Sequence, residues 1–389
     1  MLDYFEDSQK FLKDEIPLFE NKIFGIRIWE FLRYAVWKDL QKNRTEGLNL
    51  SRSSTKKSLK ISNLTKVIKG TKSKNQWLIS NRVKFSGSDI LDPAIGQLDL
   101  RSLNFVLEQE IDDNRIINLS ELNRIVDLLF SIFSFIPAVF AAIFFRVEIL
   151  DHCVSKKVIF LRLMRCFNWL IFWRILIWLS PDLRRVIVNT HYSIQAHTLL
   201  FLTERFGIVY EEYQHGTLGN SHIAYNCVFE EKIWPTTLFV WGKAWVKNMS
   251  YSGEIAYCSK PNYKVYPFGK DIDVLFIGQA REDIRIAYQK FHSENPKLCV
   301  VYLPHPQEVS LELRTVDSYE LLARSSVVIG VWSTMLIEAL LYNCIVWRMP
   351  LPFHDVLDDF NIPILTNLSF EDMFNWQFSK TLQETIWNK

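Results

Sequence analysis

Three short polar stretches, each placed directly after an apolar run, hold the residues best equipped for chemistry. In Tyr210-Glu211-Glu212-Tyr213-Gln214-His215-Gly216-Thr217, the glycine permits close backbone approach and presents His215 beside Gln214. An imidazole there takes a proton from a hydroxyl near neutral pH or donates to a phosphate oxygen; its structural alternative is a bond to a neighbouring carbonyl. Slightly further on, His222 and Tyr225 either line the same pocket or occupy a surface loop. In Val300-Val301-Tyr302-Leu303-Pro304-His305-Pro306, two prolines fix the backbone around one imidazole, a mount suited to holding a phosphate or nucleotide by one nitrogen. Glu308 follows, either accepting from a ribose or sugar hydroxyl or serving as a helix N-terminal acid.

The third stretch runs from Ser325 through Gly330-Val331-Trp332-Ser333-Thr334 to Glu338-Ala339. Ser333 or Thr334 is a good N-cap. Its hydroxyl, with the free N–H groups of the first turn, forms an anion site for a diphosphate or phosphodiester without a metal, or acts as an ordinary cap. Glu338 lies one turn in, within reach of a nucleotide hydroxyl. Arg281, after Gly278-Gln279-Ala280, and Arg82, after Gln76-Trp77-Leu78-Ile79-Ser80, either neutralise a phosphate or face water; His191 ends the run Arg185-Val186-Ile187-Val188-Asn189-Thr190.

Alternating strands and helices must position these groups. The pattern predicts strands at 76–80, 185–191, 208–213, 238–242 and 264–268, with a helix from Ser193 to Phe206 stopped by Gly207. A second series follows: strands at 272–277, 298–303, 326–330 and 344–348, with helices through Tyr288, around 319–323 and over 335–342. Such alternation implies parallel, doubly wound sheets that bind ligands at the carboxyl ends of their strands, where the polar stretches fall.

At 389 residues the chain is long enough for two domains. The expected division is 1–235, an acceptor-side Rossmann-like lobe carrying an apolar helical insertion at about 120–180, and 236–389, a nucleotide-binding Rossmann-like lobe. A net charge of +2 gives no general basic excess, and no nucleic-acid partner is expected. There is no GxGxxG or Walker A loop, which argues against an NAD enzyme or a P-loop ATPase. Cys153, Cys166, Cys227, Cys258, Cys299 and Cys344 are dispersed without a CxxC pair, as reduced core thiols would be. The acidic start lacks an apolar signal region, so the chain is expected to stay in the cytoplasm.

Hydrophobic residues make up 49% and aromatic residues 14%, which points to apolar surface against lipid or a partner. Residues 23–40 read as an amphipathic helix. The run Ile125 to Phe145 is nearly unbroken and long enough to span a bilayer, whereas Val158 to Leu179 carries Arg162, Arg165 and Arg174, costly at a bilayer centre. A helical hairpin lying on the membrane is the expectation, with buried core helices and true spans as alternatives. Residues 51–75 hold eight Lys or Arg and no acid, either a solvated loop or a contact for an anionic membrane surface.

In ordered combination, these motifs resemble the GT-B glycosyltransferases of bacterial surface (capsular and O-antigen) polysaccharide biosynthesis. The similarity lies in the Gln214-His215-Gly216 turn with His222 and Tyr225, the His305-Pro306 pair, and Ser333-Thr334 before Glu338-Ala339. The last two also look like motifs of sialyl- and Kdo-transferases that hold the CMP phosphate of the donor. The resemblance spans roughly Arg185 to Arg348. It implies an α/β, GT-B-like fold of two lobes facing a cleft. It also implies a sugar donor activated by a nucleotide, CMP favoured, a glycan or lipid-linked acceptor, and no metal or other cofactor. His215, Gln214 and His305 would be catalytic; His305, Pro306, Ser333, Thr334, Glu338, Gln279, Arg281 and Glu308 would face the donor; Gly216, His222, Tyr225, Arg82 and His191 would face the acceptor. The acidic general base of many sialyltransferases has no counterpart after the Gln-His-Gly turn, which leaves His215 as the candidate base. Transfer of a polyol phosphate from a CDP-linked donor, and an inactive scaffold of the same fold, are the competing readings.

Overall fold

A computed structural model describes residues 4–23, 25–44, 76–79, 119–150, 152–188, 190–214, 218–219, 222–247, 249–257, 266–279, 282–305, 317–331 and 333–349. Two separate parallel sheets organise them. The first is formed by β3 (Gln76–Ile79), β6 (Arg185–Val188), β7 (Val209–Tyr213), β8 (Thr237–Val240) and β9 (Glu254–Tyr257), side by side in that order. The expected division at 235/236 therefore falls inside this sheet: β8 and β9 continue its ladder beyond residue 236, and the change of lobe comes after Tyr257.

Helices cover one face of the sheet. At the amino-terminal end come α1 (Tyr4–Asp14), α2 (Ile16–Phe19), a small ladder of β1 (Lys22–Ile23) and β2 (Ile26–Arg27), and α3 (Ile28–Arg44). Gly25, at φ +74, makes the turn between β1 and β2, which is why the expected helix at 23–40 starts five residues late. Between β3 and β6 lie α4 (Leu119–Phe144), a hairpin of β4 (Glu148–Ile149) and β5 (His152–Cys153), and α5 (Lys156–Trp178). The βαβ unit follows through α6 (Ile194–Arg205), begun by Ser193, whose side chain accepts from the Ala196 amide, and ended at Gly207 with φ +64. Strand alternation sends Val186 and Val188 into the helical core and Ile187 to the opposite side.

The expected interfacial hairpin divides into two different helices. In α5, Leu163, Cys166, Trp169, Phe172, Trp173 and Leu176 are buried in the lobe core, so it is a core helix. Two of its arginines are paired, Arg162 with Asp39 at 2.8 Å and Arg165 with Asp127 at 3.3 Å, and the third, Arg174, is exposed. In α4, by contrast, Val126, Ser134, Ala138 and Ala141 pack inward while Ile132 (81% exposed), Ile136 (76%), Phe133 (69%) and Phe144 (68%) face outward. By length and composition α4 is the one described helix apolar enough to cross a membrane.

The second sheet has the order β11 (Val300–Leu303), β10 (Ile272–Ile277), β12 (Ser325–Gly330), β13 (Ile345–Arg348), all parallel. Its helices are α7 (Glu282–Glu294), α8 (Ser318–Arg324) and α9 (Thr334–Ala339), the last extended by a short tight turn to Tyr342. Tyr266 to Phe268, the described part of the strand expected at 264–268, is not in a strand; Tyr266 instead donates its hydroxyl to Asp317 at 2.6 Å. The chain leaves β10 for β11 on one side, then returns to β12 on the other, so connections diverge at the carboxyl ends of β10 and β12, the place where sheets of this topology bind ligands. The described strands of the first sheet run in sequential order without such a reversal. One apolar cluster includes both Ile187, Leu238 and Trp245 of the first lobe and Leu275, Val328 and Leu336 of the second.

Candidate functional site

In the second lobe three of the expected donor-facing residues follow strand ends. Gln279 follows β10, His305 follows β11 and Ser333 follows β12, all partly exposed. The Gly278 amide donates to the Leu303 carbonyl at 2.8 Å, tying the exits of β10 and β11 together. Gly330 closes β12 where a side chain would fit tightly: an added Cβ would lie 3.1 Å from Leu336 and 3.4 Å from Ile277, so Leu336 would have to shift. This close approach brings the start of α9 down onto the strand ends. Ser333 caps that helix, its hydroxyl accepting from the Met335 amide at 3.3 Å. Thr334 is the first helical residue, with its side chain outside the described set, and Glu338 sits one turn in, partly exposed. Pro306, Glu308 and Arg281 lie outside the described residues.

The first lobe differs more from expectation. His215 and Gly216, together with Arg82, lie outside the described residues. Gln214 is fully buried; its Oε1 accepts from the Trp241 amide at 2.9 Å and its own amide donates to the Phe239 carbonyl at 2.9 Å. The side chain expected to be catalytic thus braces the exits of β7 and β8. His191 and Tyr225, expected to face an acceptor, are also buried, 1% and 0% exposed. Both are turned onto Glu212: the Tyr225 hydroxyl donates to Oε1 at 2.7 Å, His191 Nδ1 is 2.5 Å from Oε2, and the His191 amide donates to Oε1 at 3.2 Å. Burial holds the His191 imidazole below its ordinary pKa against the opposing pull of Glu212, and burial pushes the Tyr225 phenol well up.

Glu212 was missed as a functional residue, yet it joins the ends of β6 and β7 to the loop holding Tyr225. The signal was present: Glu212 lies among the aromatic residues of a short parallel strand, and a carboxylate buried there requires donors. Also unforeseen was Arg33 on α3, buried with Glu15 at Nη2 to Oε1 2.5 Å. Arg33 donates to the carbonyls of Ile223 at 2.6 Å and Asn226 at 2.8 Å and so anchors the loop around Tyr225. His222 is the predicted acceptor-side residue that keeps some exposure. Its ring lies parallel to Tyr34, centroids 6.1 Å apart, with Tyr192 packed 4.4 Å from Tyr34.

Among the described residues no group of three or more His, Cys, Asp or Glu is placed to hold a metal ion. No protein-family model matches the chain, and no curated protein matches it. Among solved structures the chain is similar to MurG of Acinetobacter baumannii, with a TM-score of 0.33 and 10% identity over 59% of this chain and 72% of that one. That likeness is loose, and the functional reading rests on the strand-end residues instead.

Proposed function

We propose that this chain is a glycosyltransferase that moves a sugar from a nucleotide-activated donor, a CMP-sugar first, to a growing surface polysaccharide or lipid-linked glycan. The observation that carries the reading is the reversal of strand order in the second sheet, with Gln279, His305 and Ser333 each just beyond the carboxyl end of a different strand. In this reading the donor phosphate is held by His305 and the Ser333 turn, which stabilise the charge that develops as the sugar–phosphate bond breaks. The acceptor hydroxyl forms the new bond at the anomeric carbon and gives its proton to His215. The buried Gln214 brace and the Glu212 junction fix the end of β7, and His222 with Tyr34 and Tyr192 borders the acceptor. The work of α4 is attachment to the cytoplasmic face of the membrane, through its outward apolar side.

Product analysis with a panel of donors tests the assignment. A glycan extended by a sugar, with the nucleotide monophosphate or diphosphate released, is the expected product. Phosphorus retained in the polymer would instead establish transfer from a CDP-polyol. Failure of every CMP-, CDP-, UDP- and GDP-linked donor to bind would favour an inactive scaffold.

A further inference from the structure

A groove on the first lobe combines apolar walls with two cations that, among the described residues, no acid neutralises. It is a cavity of ≈ 490 Å³ where the end of α5 meets the segments leading into β6 and β7, lined by Arg174, Ile175, Trp178, Arg184, Phe206 and Ile208 among others, without one acidic side chain. That volume lies within the range of small-molecule sites, about 300–1,000 Å³. Trp178 is 78% exposed, and Ile175 and Phe206 are exposed as well, so the walls offer apolar surface that the fold leaves uncovered.

The cations are equally available. Arg174 lies over the Phe206 ring, 5.9 Å from its centroid, and Arg184 reaches the carbonyls of Pro181 and Leu183 at 3.4 Å. Among the described residues neither guanidinium pairs with a carboxylate, unlike Arg162 and Arg165 on the same helix. Two arginines beside an apolar groove fit an amphiphile with an anionic head.

We propose that this groove binds an acidic phospholipid, its phosphate on Arg174 and Arg184 and the start of an acyl chain along Ile175, Trp178 and Phe206. The inference extends the membrane attachment proposed for α4 and adds a lipid preference to it. Because Arg184 and Ile208 precede β6 and β7, the groove lies at the amino-terminal ends of these strands, opposite the edge that holds Gln214. The lipid is therefore an anchor rather than the glycan-bearing acceptor.

The test uses monomeric short-chain lipid, so that it does not depend on membrane attachment. The full chain is titrated calorimetrically with dihexanoyl phosphatidylglycerol, dihexanoyl phosphatidylcholine and glycerol 1-phosphate, each below micelle formation. Saturable binding of the phosphatidylglycerol is expected, with the phosphatidylcholine and the chainless phosphate much weaker. Both arginines are exposed, so R174A/R184A should fold normally; it should bind phosphatidylglycerol roughly thirtyfold less well. Equal binding of the two lipids, no saturable binding, or indifference to R174A/R184A would overturn the proposal. Failure of vesicle attachment through α4, or of donor binding, would leave these outcomes unchanged and so counts against those readings alone.

Discussion

His191 Nδ1 lies 2.5 Å from Glu212 Oε2 in a site closed to solvent, and the same carboxylate accepts the Tyr225 hydroxyl. One buried group thus fixes the ends of two strands and the loop beyond them. Replacing Glu212 with Ala would leave an imidazole, a hydroxyl and a backbone amide without their acceptor. The expected loss of stability is about 3–5 kcal/mol, read from urea unfolding. Glu212→Gln keeps one acceptor and should lose less. An unchanged midpoint for Glu212→Ala would remove this carboxylate from the account of the site.

Gln214 makes a different prediction from the one its place in a Gln-His-Gly turn suggests. Because its side chain receives the Trp241 amide in a buried position, Gln214→Ala should destabilise the first lobe by about 1–3 kcal/mol. Transfer should fall with it, through misplacement of the adjoining turn. Full stability with abolished transfer would instead make Gln214 a group that touches substrate.

Stability should depend on pH through buried histidine. Burial lowers His197 from 6.5 to about 4, although Glu30, 3.6 Å away, pulls the other way; His191 is lowered by burial too. The unfolded chain therefore takes up the proton first as pH falls below about 6.5. Stability contributed by neutral His197 is present above that value and is lost progressively down to about pH 4, on the order of 3 kcal/mol in all. Unfolding measured between pH 7 and 5 should show the decline, and His197→Gln should flatten it. An identical slope in that variant would contradict the assignment.

Lys232 gives the complementary window. It is buried, its Nζ sits 3.0 Å from the centroid of the Trp234 ring, and burial followed by Arg33 lowers its pKa to about 7. The unfolded side chain holds its proton up to about 10.5, so between these values the unfolded state binds more protons and stability rises with pH. Lys232→Met should abolish that rise. Persistence of the rise in the variant would show that another group titrates.

Much of the architecture was legible from patterning alone. Ile272–Ile277 was recognisable as a strand because an apolar run ends in Gly278, and Ser193 with Gly207 marked the two ends of one helix. What remained hidden depended on partners distant in sequence. Arg162 and Arg165 read as interfacial because Asp39 and Asp127 could not be placed opposite them. The division at 235/236 falls inside the first sheet because strand pairing, not local composition, assigns β8 to it. His191 looked like a cleft residue because it ends a strand run and Tyr225 because it lies shortly after the Gln-His-Gly turn, whereas their orientation is decided by Glu212, which neither local sequence reveals. The second-lobe exits were easier: Gly278, His305 and Ser333 sit directly at the ends of short apolar runs, so strand identity alone locates them.

The outward side of α4 is tested by vesicle flotation. Substituting Ile132, Phe133 and Ile136 together by Ser removes exposed apolar surface without opening the core, so folding should be retained while binding to lipid falls sharply. Equal flotation of the variant would assign membrane contact to another surface.

The central claim is that the carboxyl edge of the second sheet, between β10 and β12, holds the donor. Calorimetric titration of the full chain with CMP-, CDP-, UDP- and GDP-linked donors, repeated with the variant H305A/S333A, tests it most directly. Saturable binding of one donor, weakened at least about tenfold by the double substitution, is the expected result. Donor binding that survives H305A/S333A unchanged would place the nucleotide elsewhere and contradict the account.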